Sequence, residues 1–182
     1  MSFARVRALA VVGVLFVCAI IFVTMALLRD TQTAPTVGQG CPAGFVRADL
    51  RLPEEKNIKI NVYNATDRQG LAEQVAFNFE NREFTVVNKA TIQQANDPQK
   101  KRVDGVAVLR YGPNAVGAAW ILRAYFLAEA GTEFDINRKD DVVDVVLGTK
   151  FQQLGTITEV KQSLAALGSP VLPKGTCDAN AR

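Results

Sequence analysis

Twenty-one consecutive residues from Ala8 to Leu28, "ALAVVGVLFVCAIIFVTMALL", carry no charge. As a helix, at roughly 1.5 Å per residue, such a run covers the ~30 Å hydrocarbon core of a bilayer, so it predicts a single transmembrane helix. Its polar side chains are Thr24, which can bond back to its own helix backbone, and Cys18, which behaves in lipid as a small hydrophobe. Arg5 and Arg7 precede the run with no acid among the first seven residues, whereas Arg29 is followed at once by Asp30. The positive-inside rule then predicts residues 1–7 in the cytoplasm and everything after Arg29 outside. The implied protein is a single-pass protein of the cell membrane with an extracytoplasmic C-terminal domain. A cleaved signal peptide competes, since Thr24-Met25-Ala26 loosely fits a small-x-small cleavage site. The run exceeds the usual h-region and continues through Leu27 and Leu28, which favours the uncleaved anchor.

The remainder divides into a Gly-, Pro-, Thr- and Gln-containing linker over 29–40 and one domain over 41–182. Cys41 and Cys177 bracket that domain. In an oxidising compartment they predict one disulfide closing a long loop, worth about 4–5 kcal/mol in the chain-entropy model, with two free thiols as the plainer reading. A zinc site lacks support, because the two cysteines are far apart and the chain has no histidine. Removing Arg5, Arg7 and Arg29 from 21 basic residues and Asp30 from 18 acidic ones leaves 18 against 17 for the domain. That balance gives no support to nucleic-acid binding, and the basic run Lys100-Lys101-Arg102 reads as a solvated loop.

Within the domain, Ile58, Ile60 and Val62 alternate with polar residues as a strand does. Leu71, Ala72, Val75, Ala76 and Phe79 then make one apolar face of a helix over Leu71 to Arg82. Phe84 to Asn88 reads as a second strand and Val106 to Leu109 as a third, with a long polar loop between them. A helix from about Asn114 to Glu129, a strand over Asp141 to Gly148 and a last helix from about Thr158 to Leu167 complete the order. This pattern predicts an α+β, ferredoxin-like βαββαβ domain, a four-stranded antiparallel sheet with helices on one face, plus an extra C-terminal helix. A small parallel-sheet α/β fold is the alternative.

The turn after the first strand, Asn64, Thr66, Asp67 and Gly70, is the candidate for weak anion or sugar binding. The plainer reading is local capping, since neither nucleotide fingerprint is met. A second candidate is apolar. Phe77 lies opposite the inner face of its helix, and Val116, Trp120 and Leu127 form a second stripe on the next. Either the third helix or the residues before the first strand cover these side chains, or they make a binding surface. Catalysis is disfavoured: without histidine there is no His-dependent triad or imidazole base. The densest acidic group, Asp140, Asp141 and Asp144, reads as solvated edge charge. No cofactor and no metal is expected.

The string "INVYNATDRQGLAEQVAFNFENREFTVV" resembles the LytR C-terminal domain family, with its Asn-Ala-Thr turn, Gly-Leu-Ala helix start and Arg-x-Phe lead into the second strand. "VAVLRYGPNAVGAA" and "DVVLGTKFQQL" resemble that family's later motifs, in the right order, so the likeness spans Ile58 to about Leu154. Glu83 stands where the family usually has a helix-ending glycine, and Phe77 where a polar residue is commoner. The resemblance implies a non-enzymatic, membrane-anchored module supporting cell-envelope integrity in an actinobacterium-like wall. Its expected partners are a wall glycan, a lipid or an envelope protein. The alternative reading is an interaction or regulatory subunit of a separate membrane cell-wall enzyme.

Overall fold

Strand β6, Val142–Leu147, buries apolar side chains on both faces and takes the centre of the sheet. Val143, Val145 and Leu147 are buried on one side and Val146 on the other. A computed structural model describes residues 13, 16–20, 41–88 and 102–180. Among these, the elements after Cys41 are β1 (Val46–Ala48), β2 (Lys59–Asn64), α1 (Leu71–Glu80), β3 (Thr85–Val86), β4 (Ala107–Tyr111), α2 (Val116–Tyr125), β5 (Gly131–Phe134), β6, α3 (Ile157–Leu167) and β7 (Thr176–Asp178). They fall within one compact unit, Gly40–Arg182.

The main sheet runs β3-β2-β6-β4-β5. β2 is parallel to β3 and to β6, β4 is parallel to β5, and only the β4–β6 pair is antiparallel. Two parallel strand-helix-strand units, β2-α1-β3 and β4-α2-β5, therefore lie side by side with β6 between them. The expected ferredoxin-like sheet is not what forms. In that arrangement each crossover skips a strand, whereas here each joins neighbours. A strand buried on both faces is most stable where it is flanked on both edges, and β6 is the strand whose composition allows it. Within the main sheet, β5 is the strand missing from the predicted order.

Leu71, Ala72, Val75, Ala76 and Phe79 of α1 are buried, as their helical spacing predicts. They pack with Ala118, Ala119 and Leu122 of α2 over Ile60, Val62, Val143, Val145 and Leu109 of the sheet. The opposite face carries Asn61, Arg110 and Asp144, set there by the two-residue repeat. β1 and β7 pair in parallel as a separate two-stranded ribbon.

The expected membrane-spanning helix is not borne out. Among the described residues no helix is long and apolar enough to cross a membrane. Of the stretch Ala8 to Leu28 the structure describes Gly13 and the helical residues 16–20, and the rest lies outside the described residues. The single-pass membrane assignment, the membrane as partner and the orientation inferred from Arg5 and Arg7 fall with it. The expected linker over 29–40 and the Lys100-Lys101 part of the basic run also lie outside the described residues.

Candidate functional site

The polar turn before α1 is closed on itself. Asn64 Oδ1 accepts from the Thr66 backbone N–H at 3.0 Å and from its hydroxyl at 2.7 Å, and Asn64 Nδ2 donates to the Arg68 carbonyl at 2.6 Å. Thr66 Oγ1 in turn accepts from the Arg68 N–H at 3.1 Å. Gly70, with φ 69°, stands at the N-cap without any side-chain capping bond, so Asn64 and Thr66 shape the turn rather than cap the helix. Asp67 is exposed.

The apolar stripe does not assemble. α2 ends at Tyr125 because Leu127 and Ala128 both take positive φ, which removes Leu127 from the helical repeat. Val116 is buried at 3% exposure, while Trp120 is partly buried, its Nε1 donating to the Gly168 carbonyl at 3.0 Å beyond α3 and its ring lying under Arg123. Leu127 reaches Gly155 and, with Ala166 and Leu167, lines a shallow groove against α3. Phe77 stays open at 62% exposure on α1, and Leu127 keeps 42% of its surface exposed at the groove. Cys41 and Cys177 are joined in a disulfide, with Cα atoms 5.8 Å apart.

A cleft of about 670 Å³, which the sequence reading did not single out, lies where the segment after β1 crosses the start of α2. Asp49, Arg51, Leu52 and Pro53 form one side, Asn57, Asn114 and the first turn of α2 the floor, and Lys139, Asp140 and Asp141 the other. Each of its carboxylates is already paired. Asp49 takes Arg51 Nη2 at 2.6 Å, Asp140 takes Arg138 Nε at 2.7 Å, and Asp141 takes Lys59 Nζ at 2.9 Å. The Arg51 side-chain hydrogen bond, helped by the Arg51 backbone N–H and the Asn180 amide, holds the Asp49 carboxyl down to about 2 against the effect of burial. The Lys59 hydrogen bond lowers Asp141 likewise. Among the described residues, the Lys139 ammonium has no ion-pair partner, and its carbonyl orients Asn114 by accepting from Nδ2 at 2.7 Å.

Asp144 belongs to a different environment from its two neighbours and is no solvated edge charge. On central β6 it accepts from both terminal nitrogens of Arg138, at 2.7 and 3.2 Å, and from Asn61 Nδ2 at 2.8 Å. Arg138 thus ties Asp140, at the cleft rim, to the helix-free face of the sheet. Its backbone also packs on Gly112, where a Cβ would stand 2.6 Å from the Arg138 carbonyl oxygen. Among the described residues, no group of three or more His, Cys, Asp or Glu side chains could hold a metal ion.

A protein-family model described as LytR cell envelope-related transcriptional attenuator matches residues 57–151, just over half of the chain. The chain belongs to the LytR_C family. The LytR_C match takes in the floor and the far side of the cleft, Asn57, Asn114 and Lys139 to Asp141, and leaves the Asp49 to Pro53 side outside it. The family's Tyr-Gly-Pro string, Tyr111 to Pro113, is where the Arg138 backbone packs on Gly112. Among solved structures, the soluble domain of a conserved hypothetical secreted protein from Mycobacterium marinum is similar at 27% identity and a TM-score of 0.49, covering 75% of this chain and 83% of that one. No curated protein matches the sequence.

Proposed function

We propose that this LytR_C chain is a non-enzymatic, cell-envelope-associated binding module, and that the cleft at the start of α2 holds its ligand. The sequence resemblance to the actinobacterial envelope integrity protein Cei supports the envelope role. The observation that carries the binding reading is the pairing of Asp49, Asp140 and Asp141 with Arg51, Arg138 and Lys59. The Asp49 and Asp141 carboxyls, lowered by their bonds to Arg51 and Lys59, are poor general acids, and glycoside cleavage needs one carboxyl protonated beside the bond.

What remains available is recognition chemistry: the amides of Asn57 and Asn114, the Lys139 ammonium, and the apolar faces of Leu52 and Pro53. Amides match acetamido and hydroxyl groups, and an unpaired ammonium matches a carboxylate. An acetamido sugar carrying a carboxylate, the repeating chemistry of bacterial wall glycans, meets all three. The full chain should sediment with purified cell wall and release no soluble fragments from it, and Lys139→Ala should sediment less. A chain that stays in the supernatant, or that liberates wall fragments, overturns the reading.

A further inference from the structure

The Asp49 to Pro53 side of the cleft contains no helix or strand of its own, and three attachments hold it. Behind it, β1 pairs with β7, and the Ala179 N–H donates to the Ala48 carbonyl at 2.9 Å. In front, the Asp49 N–H donates to the Pro113 carbonyl at 2.9 Å, and its carbonyl accepts from the Gly117 N–H in the first turn of α2 at 3.0 Å. Asn180 Nδ2 adds a bond to Asp49 Oδ1 at 3.0 Å. The fit against α2 is close enough to require glycine: a Cβ at Gly117 would stand 1.8 Å from the Arg51 carbonyl oxygen.

This strap stands apart from the main core. The core cluster of buried residues begins at Ile58 and ends at Val160, with Leu164 and Leu167 packed against it, and includes nothing from β1 or β7. Phe45, Val46 and Leu52 of the strap are exposed. Two three-residue strands do not hold a sheet together unaided, and these join the two ends of the domain. Bringing them together costs loop-closure entropy, which the Cys41–Cys177 bond, spanning 136 residues, removes.

We propose that the Cys41–Cys177 disulfide is a redox lock on the cleft: while it is intact the strap lies across α2 and walls the ligand site, and its reduction frees the strap without unfolding the sheet. The proposal rests on the cleft being the ligand site. In the step, a dithiol reductant gives two electrons and two protons. The bond between the two sulfurs breaks, Cys41 and Cys177 become thiols, and the reductant leaves as its own disulfide. The strap then peels from α2, and the cleft loses Asp49, Arg51, Leu52 and Pro53 together.

Amide hydrogen exchange on the full chain, with and without dithiothreitol, reads the lock directly. Reduction should speed exchange at Asp49, Gly117 and the β1–β7 amides on the order of tenfold or more, and leave β2, β4 and β6 protected. Strap amides that keep their protection after reduction overturn the proposal, as does a loss of protection in β2, β4 and β6 together with the strap. Gly117→Ala supplies a second route, because it should displace the strap with the disulfide still linked. Its wall sedimentation should fall to that of the reduced protein, and unchanged sedimentation overturns the coupling. If the oxidised wild-type chain fails to sediment with wall, the ligand reading fails, and the exchange experiment still decides the lock.

Discussion

Glu83 holds φ 70°, a left-handed conformation that costs a non-glycine residue roughly 1 kcal/mol or more. It does so because the end of α1 is a complete Schellman motif. The Phe84 N–H donates to the Phe79 carbonyl at 3.1 Å, the Glu83 N–H to the Glu80 carbonyl at 2.9 Å, and the rings of Phe79 and Phe84 meet edge to face at 5.1 Å. The family's usual glycine marks the same backbone shape, so the departure at Glu83 changes the cost of the turn and not its geometry. Glu83→Gly should therefore raise stability by about 1 kcal/mol, read as a higher urea midpoint at unchanged slope. Asp49 is the residue whose titration reports on the strap. Its carboxyl is lowered from 3.8 to about 2 in the fold, so its contribution is present above pH 3.8 and is lost as pH falls through about 2. Asp49→Asn should flatten that part of the acid unfolding profile and leave the neutral range without further pH dependence.

At the scale of elements, the sequence is most informative where one face is apolar and the run is long. α1 and β6 are readable from spacing alone, and α3 also carries a Thr156–Glu159 capping box that marks its start. β5 is not readable, because its four residues Gly-Thr-Glu-Phe bury none of their side chains on a sheet edge and show no apolar alternation. β1 and β7, three residues each, carry no periodicity, and only their disulfide hints that they meet. The helix α2 is overdrawn by the sequence because nothing in "FLAEAG" signals that Leu127 and Ala128 turn left-handed. Two substitutions separate a covered side chain from an open one. Trp120→Ser should cost about 2 kcal/mol, from a partly buried indole and its lost bond to Gly168, whereas Phe77→Ser should stay within about 0.5 kcal/mol. On the helix-free face, Arg138→Ala leaves the Asp144 carboxylate without its bidentate partner in a mostly buried position and should cost roughly 3 kcal/mol.

For the molecule as a whole, the strand count and the helix faces narrow the fold to a helix-covered sheet, but they do not say which strands are neighbours. Neighbour choice follows from β6 burying apolar side chains on both faces, a property visible in "VVDVVL" only once Val146 is assigned to the side opposite Val143 and Val145. The cleft was less legible still. Asn57 and Asn114 sit in two short 3-10 turns and Lys139 in a loop, far apart in sequence, and the topology brings them together around the start of α2. The candidates that composition did suggest, the turn at Asn64 to Gly70 and the apolar stripe, are instead spent on local bonds and on α3. The proposed function therefore stands on one placement, the ligand in the cleft. Amide chemical-shift mapping of the full chain against a soluble acetamido-sugar fragment of the wall tests it most directly. The shifts should concentrate at Arg51, Asn57, Asn114, Gly117 and Lys139, and shifts confined to Asn64–Gly70 or to the α3 groove would contradict it.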